Sequence, residues 1–413
     1  MSNIASRWRA LSGEEDWEGL LDPLDLDLRR LIIHYGERVQ AISDAFIRDD
    51  KSINYGLSRY AKRHLFSKVG LEKNNPYNYQ VTKYFYATKN IISSSSSGDG
   101  FIKRSRAVDP TGGDSNWIGY IAVATDTGTT VLGRRDILIC WRGTEGPLEG
   151  IIDFDVVLTS ASEILGKEHD PKVHLGWYSM YTMAHEDSPF NSTSCREQVL
   201  SEVKRLVDHY KDEEVSITVV GYSLGAAMAT LNAVDIVHNG INLKPSSNIS
   251  EPINACLVTA FGFGVPRVGD KGFLQVFSDL ENLHVLRINN RPGDIVPNHP
   301  SEWLSYVDVG EELIINTRKS PYLKVLPVES NEAKSKAHNL EVYLHGVAGT
   351  HGEDGDFKLE VNREIALVNK VSDALDDKLL VLDNWWITKN KSMVQNDDGS
   401  WVLMDRESDD NLI

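Results

Sequence analysis

The stretch EEVSITVVGYSLGAAMATLNAVDIV, Glu213 to Val237, decides how the rest of the chain is read. Two acids lead into a branched apolar run, Val215 to Val220, which breaks at Gly221-Tyr222-Ser223-Leu224-Gly225. An alanine-rich segment follows and runs to His238-Asn239-Gly240. The pattern predicts a short buried strand, a sharp turn, and a helix with a glycine stop. Serine between two glycines at such a strand-to-helix turn is a candidate nucleophile. Its backbone is strained there, and Gly221 and Gly225 remove Cβ atoms that the turn has no room for. The helix that follows aims its first N–H groups and the positive end of its dipole at Ser223.

A serine needs a base to take its proton, and the base needs a third group to hold it. In sheets of this kind the chain order is Ser, then Asp or Glu, then His. Downstream, LHVLRINNRPGDIVP (283–297) reads as a strand that ends in a Pro-Gly turn carrying Asp294. Chemistry in such sheets sits at the carboxyl ends of the strands, so Asp294 is the candidate acid, although a turn aspartate also bonds its own backbone. Asp270 reads as a helix cap. Of the later histidines, His299 is too close to Asp294, and His351 lies in the loop GTHGEDGD. His338 and His345, seven apart in KAHNLEVYLHGVAG, would share one face of a helix spanning both. His338 stands where a loop enters that helix, while His345 stands among Tyr343, Leu344 and Val347. Periodicity leaves both open. For the oxyanion, one donor is the backbone N–H of Leu224. The other is expected from Thr144, at the end of the strand ILICWRGT. Arg142 reads as a structural residue.

Working outward, strands are expected at 117–125, 134–144, 215–220, 254–266 and 283–289, with a hairpin at Gly128-Thr129. Residues 1–65 are expected to be helical, with Asp22-Pro23 as a start signal in the periodic run LDPLDLDLRRLIIHYGERVQAISDAF, and further helices are expected over 196–213, 224–240, 271–280, NLEVYLHGVA and REIALVNKVSDALDD. Alternating strands and helices give an α/β fold, a mostly parallel sheet with helices on both faces. The expected divisions are a helical N-terminal region over 1–100, a main domain over 101–390, and an acidic tail over 391–413.

The formal charge of −17 opposes binding to nucleic acid or electrostatic docking on anionic membranes, and leaves docking through an apolar surface open. No apolar run approaches the roughly 20 residues of a membrane span. Three cysteines, Cys140, Cys195 and Cys256, are too few and too irregular for a disulfide scaffold. With an early acidic N-terminus that suits neither signal nor transit peptide, the expected location is cytoplasmic.

The ordered motifs ILICWRGT, VHLGW, VVGYSLGAAMATL, VPRVGD, GDIVP and HNLEVYLHGVAGTHG resemble those of the class 3 lipases. The resemblance is greatest to the plant class II phospholipase A1 enzymes and extends to the opening RWRALSGEEDWEGLLDPLDLDLRRLIIHYGE and the closing DDGSWVLMD. It implies an α/β-hydrolase fold and a serine acylhydrolase acting on glycerolipids, at the sn-1 ester of phospholipids. The rival readings are a mono- or diacylglycerol lipase, a soluble-ester hydrolase, and a catalytically silent interaction protein on the same fold. By position the resemblance puts the nucleophile on Ser223, the acid on Asp294, the base on His338 with His345 as runner-up, and the oxyanion donors on Leu224 and Thr144. It implies no metal and no organic cofactor, and a lipid substrate met in transient contact with a membrane or micelle. A lid is expected over 146–158, with Ile151, Ile152 and Phe154 outermost. His174 matches a structural histidine. The chain departs from the pattern at Tyr222, where histidine is usual, at FGFGVPRVGD, and at RPGDIVP, which carries one more residue before the aspartate.

Overall fold

The computed structural model describes residues 3–49, 51–88, 115–144, 156–245, 254–291, 293–327, 330–386 and 393–403. Its centre is a seven-stranded sheet in the order β1-β2-β3-β6-β7-β8-β9. The strands are β1 Tyr79–Thr88, β2 Ser115–Ala124, β3 Arg135–Trp141, β6 Val215–Tyr222, β7 Leu257–Phe263, β8 Leu283–Asn290 and β9 Glu311–Ile315. Between β3 and β6, the short strands β4 (Leu158–Ser160) and β5 (Lys172–His174) pair with each other. From β3 to β9 every pairing is parallel, while β1 and β2 run antiparallel at one edge.

The central strands are apolar on both sides because both sides are covered. Ile137, Ile139, Ile217, Val219, Val258 and Ala260 enter one core with the helices Cys195–His209, Leu224–His238 and Lys271–Ser278. Their neighbours Leu138, Cys140, Val220, Phe261 and Phe263 enter the other, with the helices Leu26–Ala45 and Leu340–Gly349. This is the two-residue alternation of a strand, read on a sheet with two dry faces. The fold is the expected α/β-hydrolase sheet, with its chemistry at the carboxyl ends of β3, β6, β7 and β8.

Several local expectations are corrected. Residues 1–100 are not helical throughout, since Tyr79–Thr88 is an edge strand of the main sheet. Helix Leu26–Ala45 starts on Asp25, whose carboxylate accepts from the N–H groups of Asp27 and Leu28, and Asp22-Pro23 lies in the turn before it. β2 and β3 do pair antiparallel, but the short helix Asp126–Leu132 joins them in place of a tight turn. REIALVNKVSDALDD forms no α-helix: Ile365–Asn369 is a 3₁₀ segment, and a second one starts at its last residue, Asp377. There the Asn369 side-chain carbonyl accepts from the N–H groups of Ala374 and Leu375 at 2.8 Å each, holding the chain in a loop. The tail region 391–413 is folded in part: Met393–Gln395 and Trp401–Leu403 pair, and Trp401 packs against Trp385 and Trp386. The expected lid falls mostly on 145–155, outside the described residues.

Candidate active site

The turn at Ser223 has the predicted geometry. β6 ends at Tyr222, the helix begins at Leu224, and Ser223 between them has φ 57° and ψ −127°. A side chain with a Cβ rarely holds a positive φ, so the sheet and helix hold the strain in place. A Cβ on Gly221 would collide with the Gly225 carbonyl, and one on Gly225 would collide with the carbonyl of Trp141. The two glycines therefore bring the helix start against both its own strand and the end of β3.

Asp294 follows β8 in a turn. Its Oδ1 accepts from the Val296 N–H at 2.9 Å, so it is a turn aspartate as well as a candidate acid. Its Oδ2 accepts from His338 Nδ1 at 2.7 Å. His338 Nε2 lies 2.9 Å from Ser223 Oγ. Three segments far apart in sequence thus meet in one hydrogen-bonded line, and the three residues are only 1, 3 and 4% exposed (Ser223, Asp294, His338). With Nδ1–H donated to the carboxylate, the imidazole must present a lone pair at Nε2 to the serine hydroxyl.

A model of the class 3 lipase family matches residues 138–303. Phospholipase A1-IIgamma of Arabidopsis thaliana is 49% identical over 99% of this chain and 94% of its own length. Phospholipase A1-II 4 of Oryza sativa subsp. japonica is 47% identical over 98% of this chain and 97% of its own. The chain belongs to the class 3 lipases, among the plant phospholipase A1-II proteins. It is a carboxylic ester hydrolase.

Of the two expected oxyanion donors in this lipase, Leu224 directly follows the serine and Thr144 lies just past the end of β3. Leu224 is the first residue of its helix, so its N–H has no intrahelical carbonyl. Thr144 follows the end of β3, and its Oγ1 is buried with no partner among the described residues. Arg142 donates to the Trp117 and Gly143 carbonyls and stacks on Phe46 at 4.3 Å, a structural role.

His345 is not near Ser223. Its Nε2 bonds Ser320 Oγ at 2.8 Å, its ring stacks on Phe357, and burial pushes its pKa down to about 3. The expected helix NLEVYLHGVA forms as Leu340–Gly349 with Asn339 as its cap, and His338 stands just before it, at the end of the helix Asn331–Ala337, so no one helix spans both histidines. His338 is thus turned toward β6 and His345 away from it. His174 is structural as expected: its Nδ1 accepts from Gly176 N–H at 3.1 Å, and burial lowers its pKa to about 4. The three thiols are buried and unpaired, and burial raises the pKa of each, so Cys195 is a core residue.

The lipase site also holds residues that spacing did not single out. Tyr343 donates its phenol to Asp294 Oδ2 at 2.5 Å, on the same oxygen that His338 uses. Burial and the neighbouring carboxylate raise the Tyr343 pKa well above its usual value, so it stays a donor. Asn290 ties the Ala337 carbonyl to Thr317, fixing the loop that leads into His338. Gly264, at φ 60°, lies beneath this group, where a Cβ would stand 3.0 Å from Asp294 Oδ2 and 3.1 Å from His338 Cε1. Tyr343 carried one usable signal: a polar tip inside an apolar helix needs a partner.

Proposed function

We propose that this lipase is a phospholipase A1, removing the acyl chain from the sn-1 ester of glycerophospholipids presented at a membrane or micelle surface. The observation that carries the chemistry is the line Ser223–His338–Asp294, anchored on a strained serine. Likeness to the phospholipase A1-II proteins supports the substrate class.

In the proposed reaction His338 Nε2 takes the Ser223 proton as Oγ attacks the ester carbonyl carbon. The oxygen of that carbonyl becomes an oxyanion, and the Leu224 N–H and the Thr144 hydroxyl bind it. As the tetrahedral species collapses, the C–O bond to glycerol breaks and His338 gives its proton to the departing oxygen. Water then attacks the acyl-serine by the same route, releasing a fatty acid and restoring Ser223. Asp294, with Tyr343 beside it, holds the imidazole and stabilises it while it is charged. The buried, unpaired thiols favour a reducing compartment, and we take the site of action to be the cytosol.

The test uses phospholipids labelled separately in the sn-1 and sn-2 chains. The proposal expects labelled fatty acid from the sn-1 position and none from the Ser223→Ala protein. Release chiefly from sn-2, or faster turnover of mono- and diacylglycerols, would overturn the assignment of substrate.

A further inference from the structure

Tyr222 touches two parts of the site that come from distant points in the chain. It is the last residue of β6, immediately before the strained serine. Its phenol O–H donates to the backbone carbonyl of His338. Its ring lies 5.0 Å from the His338 imidazole, centre to centre, tilted by 34°. On the other side it packs on the backbone leading to Thr144: a Cβ on Gly143 would be 2.9 Å from Tyr222 Cδ1. One side chain therefore spans from the base to the oxyanion strand end.

We infer that Tyr222 is a positioning residue that holds His338 in the place needed to protonate the leaving group. This rests on the proposed roles of Ser223 and His338. His338 stands at a corner between two helices, at φ −89° and ψ 7°. Its carbonyl is a helix-end acceptor without a regular helical donor, and the Tyr222 hydroxyl supplies one. Asp294 holds one nitrogen of the imidazole throughout, while the bond from the other to Ser223 is lost once the serine oxygen has joined the substrate. The second constraint comes from the backbone, through the bond from Tyr222, and from the Tyr222 ring leaning on the imidazole. Proton transfer depends steeply on position, and a shift of about 1 Å costs on the order of 10²-fold.

The imidazole has two tasks of unequal difficulty. Taking the Ser223 proton is needed for any ester. Giving a proton to the departing oxygen matters greatly for an alkoxide, such as glycerol leaves as, and little for a nitrophenolate, which leaves as the stable anion. A loosened His338 should therefore hurt the two ester types unequally, whereas a general loss of structure should hurt them alike.

The experiment compares Tyr222→Phe with the wild type on two substrates with the same acyl chain, a glycerophospholipid and a p-nitrophenyl ester. Both are read as kcat/KM, which reports acylation alone. Tyr222→Phe keeps the ring and removes only the hydroxyl, and thermal unfolding checks that the fold is intact. The expected result is a loss of about tenfold or more on the glycerolipid and about two- to threefold on the nitrophenyl ester, with an unfolding midpoint lowered by only a few degrees and the transition still cooperative. Equal losses on both esters, or no loss on either, would overturn the inference. Tyr222→Ala, which also removes the ring, should widen the gap between the two esters, and a gap no wider than for Phe would count against the ring contact. Ser223→Ala run alongside separates the two levels: if it retains turnover, the roles of Ser223 and His338 fall and this inference with them. If it is dead while Tyr222→Phe loses equally on both esters, only the inference falls.

Discussion

β6 runs between two buried aspartates, and the contrast between them shows what makes a carboxylate catalytic. Near its start, Asp136 is 0% exposed and takes four hydroxyls: Tyr79 at 2.6 Å, Ser216 and Thr218 at 2.7 Å, and Tyr35 at 3.1 Å. Arg134 joins the same cluster through Tyr35 and Ser216. Beyond its end, Asp294 is equally buried and takes His338, Tyr343 and the Val296 N–H. Burial and saturation do not separate the two. At Asp136 every chain of hydrogen bonds closes on a neutral hydroxyl or a fixed cation, so the cluster ties strands to the N-terminal helix. At Asp294 one donor is an imidazole whose far nitrogen reaches a serine held at φ 57°. In the second arrangement an imidazole stands ready to take a proton from a serine, with the carboxylate holding it, and the first has no such base.

Substitutions at the two carboxylates and their partners should have opposite consequences. The largest effect is expected for Ser223→Ala, with kcat reduced by about 10⁴- to 10⁶-fold and the unfolding midpoint nearly unchanged. Asp294→Asn should follow, losing about 10⁴-fold in kcat because the amide cannot hold the same imidazole tautomer. Asp136→Asn should do the reverse. It leaves hydroxyl donors facing an amide in a dry cluster, so stability should fall by about 3–5 kcal/mol in denaturant titration. The kcat of the protein that remains folded should stay at the wild-type level. A catalytic defect at Asp136, or a purely structural one at Asp294, would undo the comparison. Tyr343→Phe should be milder, with kcat down about tenfold and KM unchanged, since one of three donors to Asp294 is lost.

The smallest effect on turnover, none, is expected at His345, where the change is in how stability depends on pH. His345 is held neutral in the fold, with its pKa lowered from 6.5 to about 3 by burial. Below pH 6.5 the unfolded chain binds a proton there that the folded chain refuses. Stability is therefore full above pH 6.5, falls as pH drops toward the folded value, and levels off below it. His345→Gln should flatten the fall in unfolding midpoint between pH 6.5 and pH 4 without changing the pH profile of kcat. A changed kcat profile would return His345 to the list of candidate bases.

How far the sequence could be read depended on the kind of signal. The elbow was legible because its constraint is local and steric: only glycine fits at Gly221 and Gly225, and the strand and helix flank them directly. The buried strands were legible because both faces are dry, which leaves near-continuous apolar runs. Edge strands were not, since Tyr79–Thr88 mixes exposed and buried positions and β9 is only Glu311–Ile315. The helix that begins after Asn339 was legible, with His338 at its entrance, but periodicity could not tell which of His338 and His345 faces the serine. Only the family resemblance separated the two histidines. Tyr343 and Asn290 escaped notice because their roles are set by contacts across 49 and 47 residues of chain, which no local pattern records. The REIALVNKVSDALDD helix was wrongly expected for a similar reason: a tertiary loop anchored by Asn369 overrides its apolar spacing.

The most direct test of the central claim is to locate the acylated residue. The active protein is treated with a fluorophosphonate, which forms a stable bond only with an activated serine, and the modified peptide is found by mass spectrometry. Loss of phospholipid hydrolysis in step with a single adduct on Ser223, slowed by orders of magnitude in Asp294→Asn and His338→Ala, is the predicted result. Complete inactivation with the adduct on any other residue, or full activity with Ser223 stoichiometrically modified, would contradict it.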